Sequence, residues 1–248
     1  MNLTNVIECD DMNSIDLVKA YAPILHFHPE ESTHCCFPSN AEKIFEMFKD
    51  DWSNFQVTKT PKTLDKSTPC YYEIWTSKRL TQIRYWFWYN YNDFPGTHFG
   101  LGDHLGDWEH VEVRLYEGSG VQDAIWLVSN HASARVTALT MTLPDFELEP
   151  PTLDDAHLHV WVALGSHANY PSPDSTPRCY AKIFCDKIRD GGVIWHTENA
   201  LKKIDETNFS DFSGRWGDDK APRSPRNKYN NRWRNVSDVK PIHVSSIL

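Results

Sequence analysis

The sequence predicts an all-β chain, a single-domain antiparallel β-sandwich over residues 1–248 with a few short helices, mainly N-terminal. Three observations predict it. Short apolar/polar alternations recur along the chain, separated by turn residues. Helical periodicity is confined to two stretches before residue 51. One segment, residues 82–91, is apolar on both faces, as in a strand covered on both sides.

Residues 14–21 read as a helix capped by Ser14, with Ile15, Leu17 and Val18 on one side and Pro23 as its stop. Residues 24–30 alternate, placing His26 with His28 and Leu25 with Phe27; Pro29 ends what reads as an edge strand. Ser39 and Glu42 have capping-box spacing and open a helix through Phe45, Met47 and Phe48. Residues 51–68 are polar, Pro-interrupted loop. Strands are then predicted at 71–76, 82–91, 107–116, 124–131, 135–143, 157–164 and 191–196. In the second of these, Tyr85, Phe87 and Tyr89 share one face, and Arg84, Trp86, Trp88 and Asn90 the other. Residues 205–248 read mostly as loop wrapping the sandwich.

Composition narrows the function. Hydrophobic content of 40% with 13% aromatics suits a large core, and ten Trp with ten Tyr suit apolar or carbohydrate ligands. A net charge of −9 argues against nucleic acid as the main partner. A basic stretch between Arg215 and Lys240 reads as a solvated face or an anion or headgroup contact. The N-terminus lacks the basic and apolar regions of a secretory leader, and no apolar run reaches membrane-span length. The expectation is a cytoplasmic protein with no transmembrane segment, though membrane-surface contact stays open. Six cysteines without a Cys-x-x-Cys pair argue against structural zinc. Free thiols fit the cytosol, whereas Cys179 and Cys185 would bridge in an oxidising compartment.

The densest chemistry lies in residues 102–114, Gly-Asp-His-Leu-Gly-Asp-Trp-Glu-His-Val-Glu-Val-Arg. On a strand, Asp107 and Glu109 share one face, and Trp108, His110 and Glu112 the other. His104 falls in the turn just before, within a loop of four glycines. Asp107, Glu109 and His104 form an oxygen/nitrogen set for a divalent ion, Mg²⁺ or Ca²⁺ ahead of Zn²⁺, and the two carboxylates equally suit acid/base work. His167 in Gly165-Ser166-His167-Ala168-Asn169 sits at a strand end, where sites are built, and His131 ends another strand. Ser166 beside His167 lacks the nucleophile-elbow pattern. Asp107, Glu109, His131 and His167 are the expected catalytic groups. Tyr85, Phe87, Trp88, Tyr89, Trp108 and Asn169 are the expected substrate-binding groups, with core packing as the competing reading of the aromatics.

Four blocks carry a resemblance: residues 21–30 (Tyr-Ala-Pro-Ile-Leu-His-Phe-His-Pro-Glu), residues 106–111 (Gly-Asp-Trp-Glu-His-Val), residues 163–171 (Ala-Leu-Gly-Ser-His-Ala-Asn-Tyr-Pro), and residues 212–217 (Phe-Ser-Gly-Arg-Trp-Gly) followed by Pro225. Together they resemble the vacuolar-protein-sorting-associated-protein-62-like family. More distantly, residues 104–109 are similar to the heptapeptide core of necrosis- and ethylene-inducing-peptide-like cytolysins, secreted β-sandwiches that hold a divalent ion and bind plant sphingolipids. That resemblance implies His104, Asp107 and Glu109 as ion ligands. Gly106 replaces the motif's second histidine.

Three functions follow as expectations. The first is an intracellular enzyme acting on an apolar small molecule in specialised metabolism, by acid/base or metal-assisted cyclisation, elimination, isomerisation or hydrolysis, with no organic cofactor. The second is a divalent-ion-dependent lipid or glycolipid-binding protein acting at membranes. The third is a non-catalytic trafficking adaptor.

Overall fold

A computed structural model describes residues 14–56, 62–76, 80–95, 100, 102–116, 120–121, 124–130, 133–139, 149–180, 182–217 and 220–227. It is an all-β architecture of two sheets. The larger sheet holds β2 (Cys70–Thr76), β3 (Leu80–Asn92), β4 (His104–Tyr116), β5 (Ile125–Asn130), β6 (Ser133–Ala138) and β13 (Leu201–Lys203), in the order β13-β2-β3-β4-β5-β6. The smaller holds β12 (Ile194–His196), β1 (Ile24–Phe27), β8 (His157–Val162) and β7 (Leu153–Asp154), with β9 (Asn169–Tyr170) also on β8. A hairpin of β10 (Cys179–Tyr180) and β11 (Phe184–Cys185) stands apart.

The all-β reading holds, with one refinement. Each sheet contains one parallel pair, β1 with β8 and β13 with β2, so both sheets are mixed. The strand at 24–27 is also not an edge. It is hydrogen-bonded on both sides, to β8 and β12, and all four residues are buried. Alternation with histidines reads as an edge because His26 and His28 are polar, yet both are buried.

Helices α1 (Ser14–Ala20), α2 (Glu31–His34) and α3 (Ala41–Phe48) all precede the larger sheet. The cap of α3 is Asn40, whose side chain accepts from Lys43 N at 3.2 Å, rather than Ser39, whose hydroxyl bonds Asn90. Asn accepts the first-turn N–H groups as well as Ser does, so the cap shifts by one residue, and Lys43 in the N3 place makes no capping box.

β3 explains the layering. Tyr85, Phe87 and Tyr89 join Leu25, Phe27, Val160, Val162 and Trp195 in the core between the sheets. Trp86 and Trp88 face the other way, into a second cluster with Trp108, Phe45, Phe209 and Trp216. Both faces of the larger sheet are thus dry, as a strand apolar on alternate and intervening positions requires. These aromatics are core, not a pocket wall.

Candidate functional site

The pairing of β3 with β4 sets the site. Tyr89 lies opposite Asp107 and Phe87 opposite Glu109, so both carboxylates point into the layer between the sheets. Residues i and i+2 on a strand are about 6.6 Å apart, close enough for two side chains to reach a shared point. Asp107 is 7% exposed and Glu109 4%, in a place where an uncompensated charge is costly.

The smaller sheet delivers the rest. The loop after β8 turns at Gly165, whose φ of +63° favours glycine and where a Cβ would strike the Asp93 carbonyl and the His34 ring. His167 follows, itself left-handed at φ +56°. Non-glycine residues held this way mark positions the surroundings over-determine. Its ring is fully buried and stacks on Tyr89, centroids 3.7 Å apart at 6°. His167 Nδ1 lies 3.2 Å from Asp107 Oδ2. A carboxylate only accepts, so the contact is made by an Nδ1–H tautomer of His167, in which Nε2 keeps its lone pair. Nε2 is buried without a hydrogen-bond partner. A carboxylate behind one imidazole nitrogen, with the other left open, is how metal-binding histidines are oriented.

Glu31, at the start of α2, is fully buried. Its two oxygens accept from Cys36 N and Gly165 N, both at 3.1 Å. Burial raises its pKa above the ordinary value, partly offset by His167. Tyr89 is pushed the same way by burial and then by Glu31, Asp107 and Glu109 together, so all three acids lie within electrostatic reach of one hydroxyl. That hydroxyl is also buried without a partner. Among the described residues, the group whose ligand atoms converge within 4.8 Å is Glu31, Cys35 and His167, rather than His104, Asp107 and Glu109. Cys35 is disulfide-bonded to Cys36, which leaves Glu31 and His167 as the donors of that group.

The other expected residues scatter. His104 is the first residue of β4 rather than part of a preceding turn, half-buried, with Nδ1 2.7 Å from the Gly106 carbonyl. That contact places the proton on Nδ1 and leaves Nε2 as a possible ligand atom. Trp108 and Trp88 lie on the far side of the sheet from Asp107. Tyr85 and Phe87 are core, and the Tyr85 hydroxyl donates to Val18 O at 2.7 Å. Asn169 is buried, with Nδ2 3.5 Å from His110 O. Ser166 donates to Asp186 at 2.6 Å, not to His167. His131 lies outside the described residues. Glu31 was not foreseen; it falls one residue beyond the first of the four blocks, and only its place after the histidine strand signals it.

No family model matches the chain. A protein of Saccharomyces cerevisiae, "Putative vacuolar protein sorting-associated protein TDA6", is 27% identical over 176 positions, covering 58% of this chain. The match spans 37% of that relative's length. Among solved structures, the chain is similar to Necrosis and Ethylene inducing Protein 2 from the causal agent of cocoa's Witches Broom disease, at TM-score 0.43 and 16% identity, over 78% of this chain and 74% of that one. It is also similar to NLPPya in complex with glucosamine, at TM-score 0.42 and 14% identity over 77% and 73%. The non-toxic HaNLP3 protein gives 0.41 and 11% over 77% and 75%.

Two expectations are corrected here. None of these proteins is named as a cyclase, a lyase or another enzyme of specialised metabolism, and the aromatics expected to wall a substrate pocket are core. The cytoplasmic assignment also fails. The relative's name ties it to vacuolar sorting, and Cys179 and Cys185 pair across β10 and β11 as a disulfide, a bond of oxidising compartments. Among the described residues, no helix is long and apolar enough to cross a membrane.

Proposed function

We propose that the chain is a divalent-cation-dependent binder of polar lipid headgroups at membrane surfaces, without a catalytic role. The observation that supports it is the buried His167 ring in the layer between the sheets, with Asp107 Oδ2 3.2 Å from its Nδ1 and a Glu31 oxygen within 4.8 Å of one of its nitrogens. A buried acid held by neutral backbone donors, as Glu31 is, favours either protonation or a cation. Carboxylate oxygens suit Ca²⁺ or Mg²⁺, and the open His167 Nε2 adds one nitrogen. The residues therefore fit such an ion by donor type. The resemblance of residues 104–109 to a cytolysin core supports the same reading. When bound, the ion supplies a fixed positive charge. Glu31 and His167 Nε2 would hold it, Asp107 fixes the His167 ring from its other nitrogen, and Glu109 lies beside Asp107 on the same face of β4.

Vesicle sedimentation tests the reading. Glycosphingolipid-containing vesicles should pull down the chain in 1 mM Ca²⁺ or Mg²⁺ (about a thousandfold above a micromolar-class site) and release it in EDTA. Binding that ignores EDTA, or no binding to any anionic or glycolipid vesicle, overturns it.

A further inference from the structure

The outer face of the smaller sheet carries a different chemistry. The strand registers put His26 and Trp161 side by side, and both His159 and His196 opposite Ile24, so three imidazoles from three strands share one face. His26 Nε2 and His159 Nδ1 are 2.7 Å apart and share one hydrogen bond, so loss of its single proton would leave two lone pairs facing one point. The His26 ring stacks on Trp161 at 4.8 Å and 18°, which fixes its plane. His26 Nδ1, on the opposite side of the ring, is 3.5 Å from Asp190 Oδ1, and Asp190 is held in turn by the Trp161 indole N–H at 3.2 Å. His196 has the same kind of backing, with Nδ1 3.4 Å from Glu198 Oε1.

We propose that His26 and His159, with His196 as a third ligand, form a binding site for an imidazole-preferring cation of the Zn²⁺ and Cu²⁺ class. Carboxylates behind two of the rings are the supports that orient metal-binding histidines. The first two ligands need little movement, whereas the exposed His196 ring must swing in, because the three imidazoles do not bring their ligand atoms all within 4.8 Å of one another. Zinc–nitrogen bonds of about 2.05 Å at a tetrahedral angle separate two ligand atoms by about 3.3 Å, so the rings must part by roughly 0.6 Å. His159 is half-buried and His196 exposed, which gives the ion an approach from solvent. The site lies on the opposite face of the smaller sheet from the interlayer acids and does not depend on them.

The test is zinc competition against a chromophoric chelator on the metal-stripped full chain, without reductant, paired with Cu²⁺ electron paramagnetic resonance. The expected result is one equivalent bound with imidazole-nitrogen hyperfine structure. His159→Gln should weaken it at least about 100-fold and Asp190→Asn, a surface change that spares the fold, about 10-fold. Asp107→Asn should leave it unchanged. Absence of zinc binding by the unsubstituted chain overturns the proposal. So does binding that survives both His159→Gln and Asp190→Asn, or binding lost in Asp107→Asn while His159→Gln retains it.

Discussion

Strand β4 meets two buried acidic groups, one on each face, and they are compensated differently. On the outer face, Glu112 sits between two guanidiniums. Arg84 Nη2 and Nε reach its Oε2 at 2.5 and 2.9 Å, and Arg114 Nε reaches Oε1 at 2.7 Å. All three side chains are essentially unexposed. In the inner layer, Asp107 has a single imidazole, and Glu31 takes two neutral backbone donors and keeps a raised pKa. A buried acid that carries its own arginines is structural. A set of buried acids with a histidine nitrogen left open is arranged for something that arrives from outside.

The contrast can be broken on either side. Glu112→Gln removes the carboxylate charge that faces Arg84 and Arg114, and the loss of a buried ion-pair partner should cost about 3–5 kcal/mol, read from urea unfolding with and without Ca²⁺. The cost should be the same in both conditions, because this group does not use the ion. Gly106→Ala should cost less, about 1–3 kcal/mol. Gly106 sits at φ +68°, and an added Cβ would strike the Trp88 ring and the Trp216 carbonyl. Displacing β4 there should also weaken Ca²⁺ binding, which Glu112→Gln should not do if the protein stays folded.

The smallest expected effect is a pH dependence. Glu31 has a folded-state pKa raised above its ordinary 4.5, so folding favours its protonated form. That contribution is fully present below 4.5 and is lost as pH rises through the folded value. In EDTA the melting temperature should therefore fall as pH rises past 4.5. Adding Ca²⁺ should flatten the fall, and Glu31→Gln should remove it without metal. Differential scanning calorimetry at matched ionic strength reads all three.

Much of the fold was legible. Period-two alternation located the long strands β3 and β4, and the two-faced apolar pattern of β3 foretold a sheet covered on both sides. The shared face of Asp107 and Glu109 followed from strand geometry alone. The rest depends on long-range pairing. β1 reads as an edge until β8 and β12 flank it, and β13 pairs with β2 from 131 residues away. His167 looked like a strand-end histidine, but its stacking on Tyr89 arises only when the two sheets meet. Glu31 carries no local signal, because its partners Gly165 and His167 lie more than 130 positions on. Trp108 adjoins Asp107 in sequence and is separated from it by the thickness of the sheet.

The most direct measurement is a calorimetric titration of the metal-stripped chain with Ca²⁺, repeated on the double variant Asp107→Asn/Glu109→Gln. The account predicts one saturable site in the unsubstituted chain and an affinity lower by at least about 100-fold in the variant, which should still melt cooperatively. Equal Ca²⁺ affinity in the two proteins, or no heat of binding in either with Ca²⁺ or Mg²⁺, would contradict it.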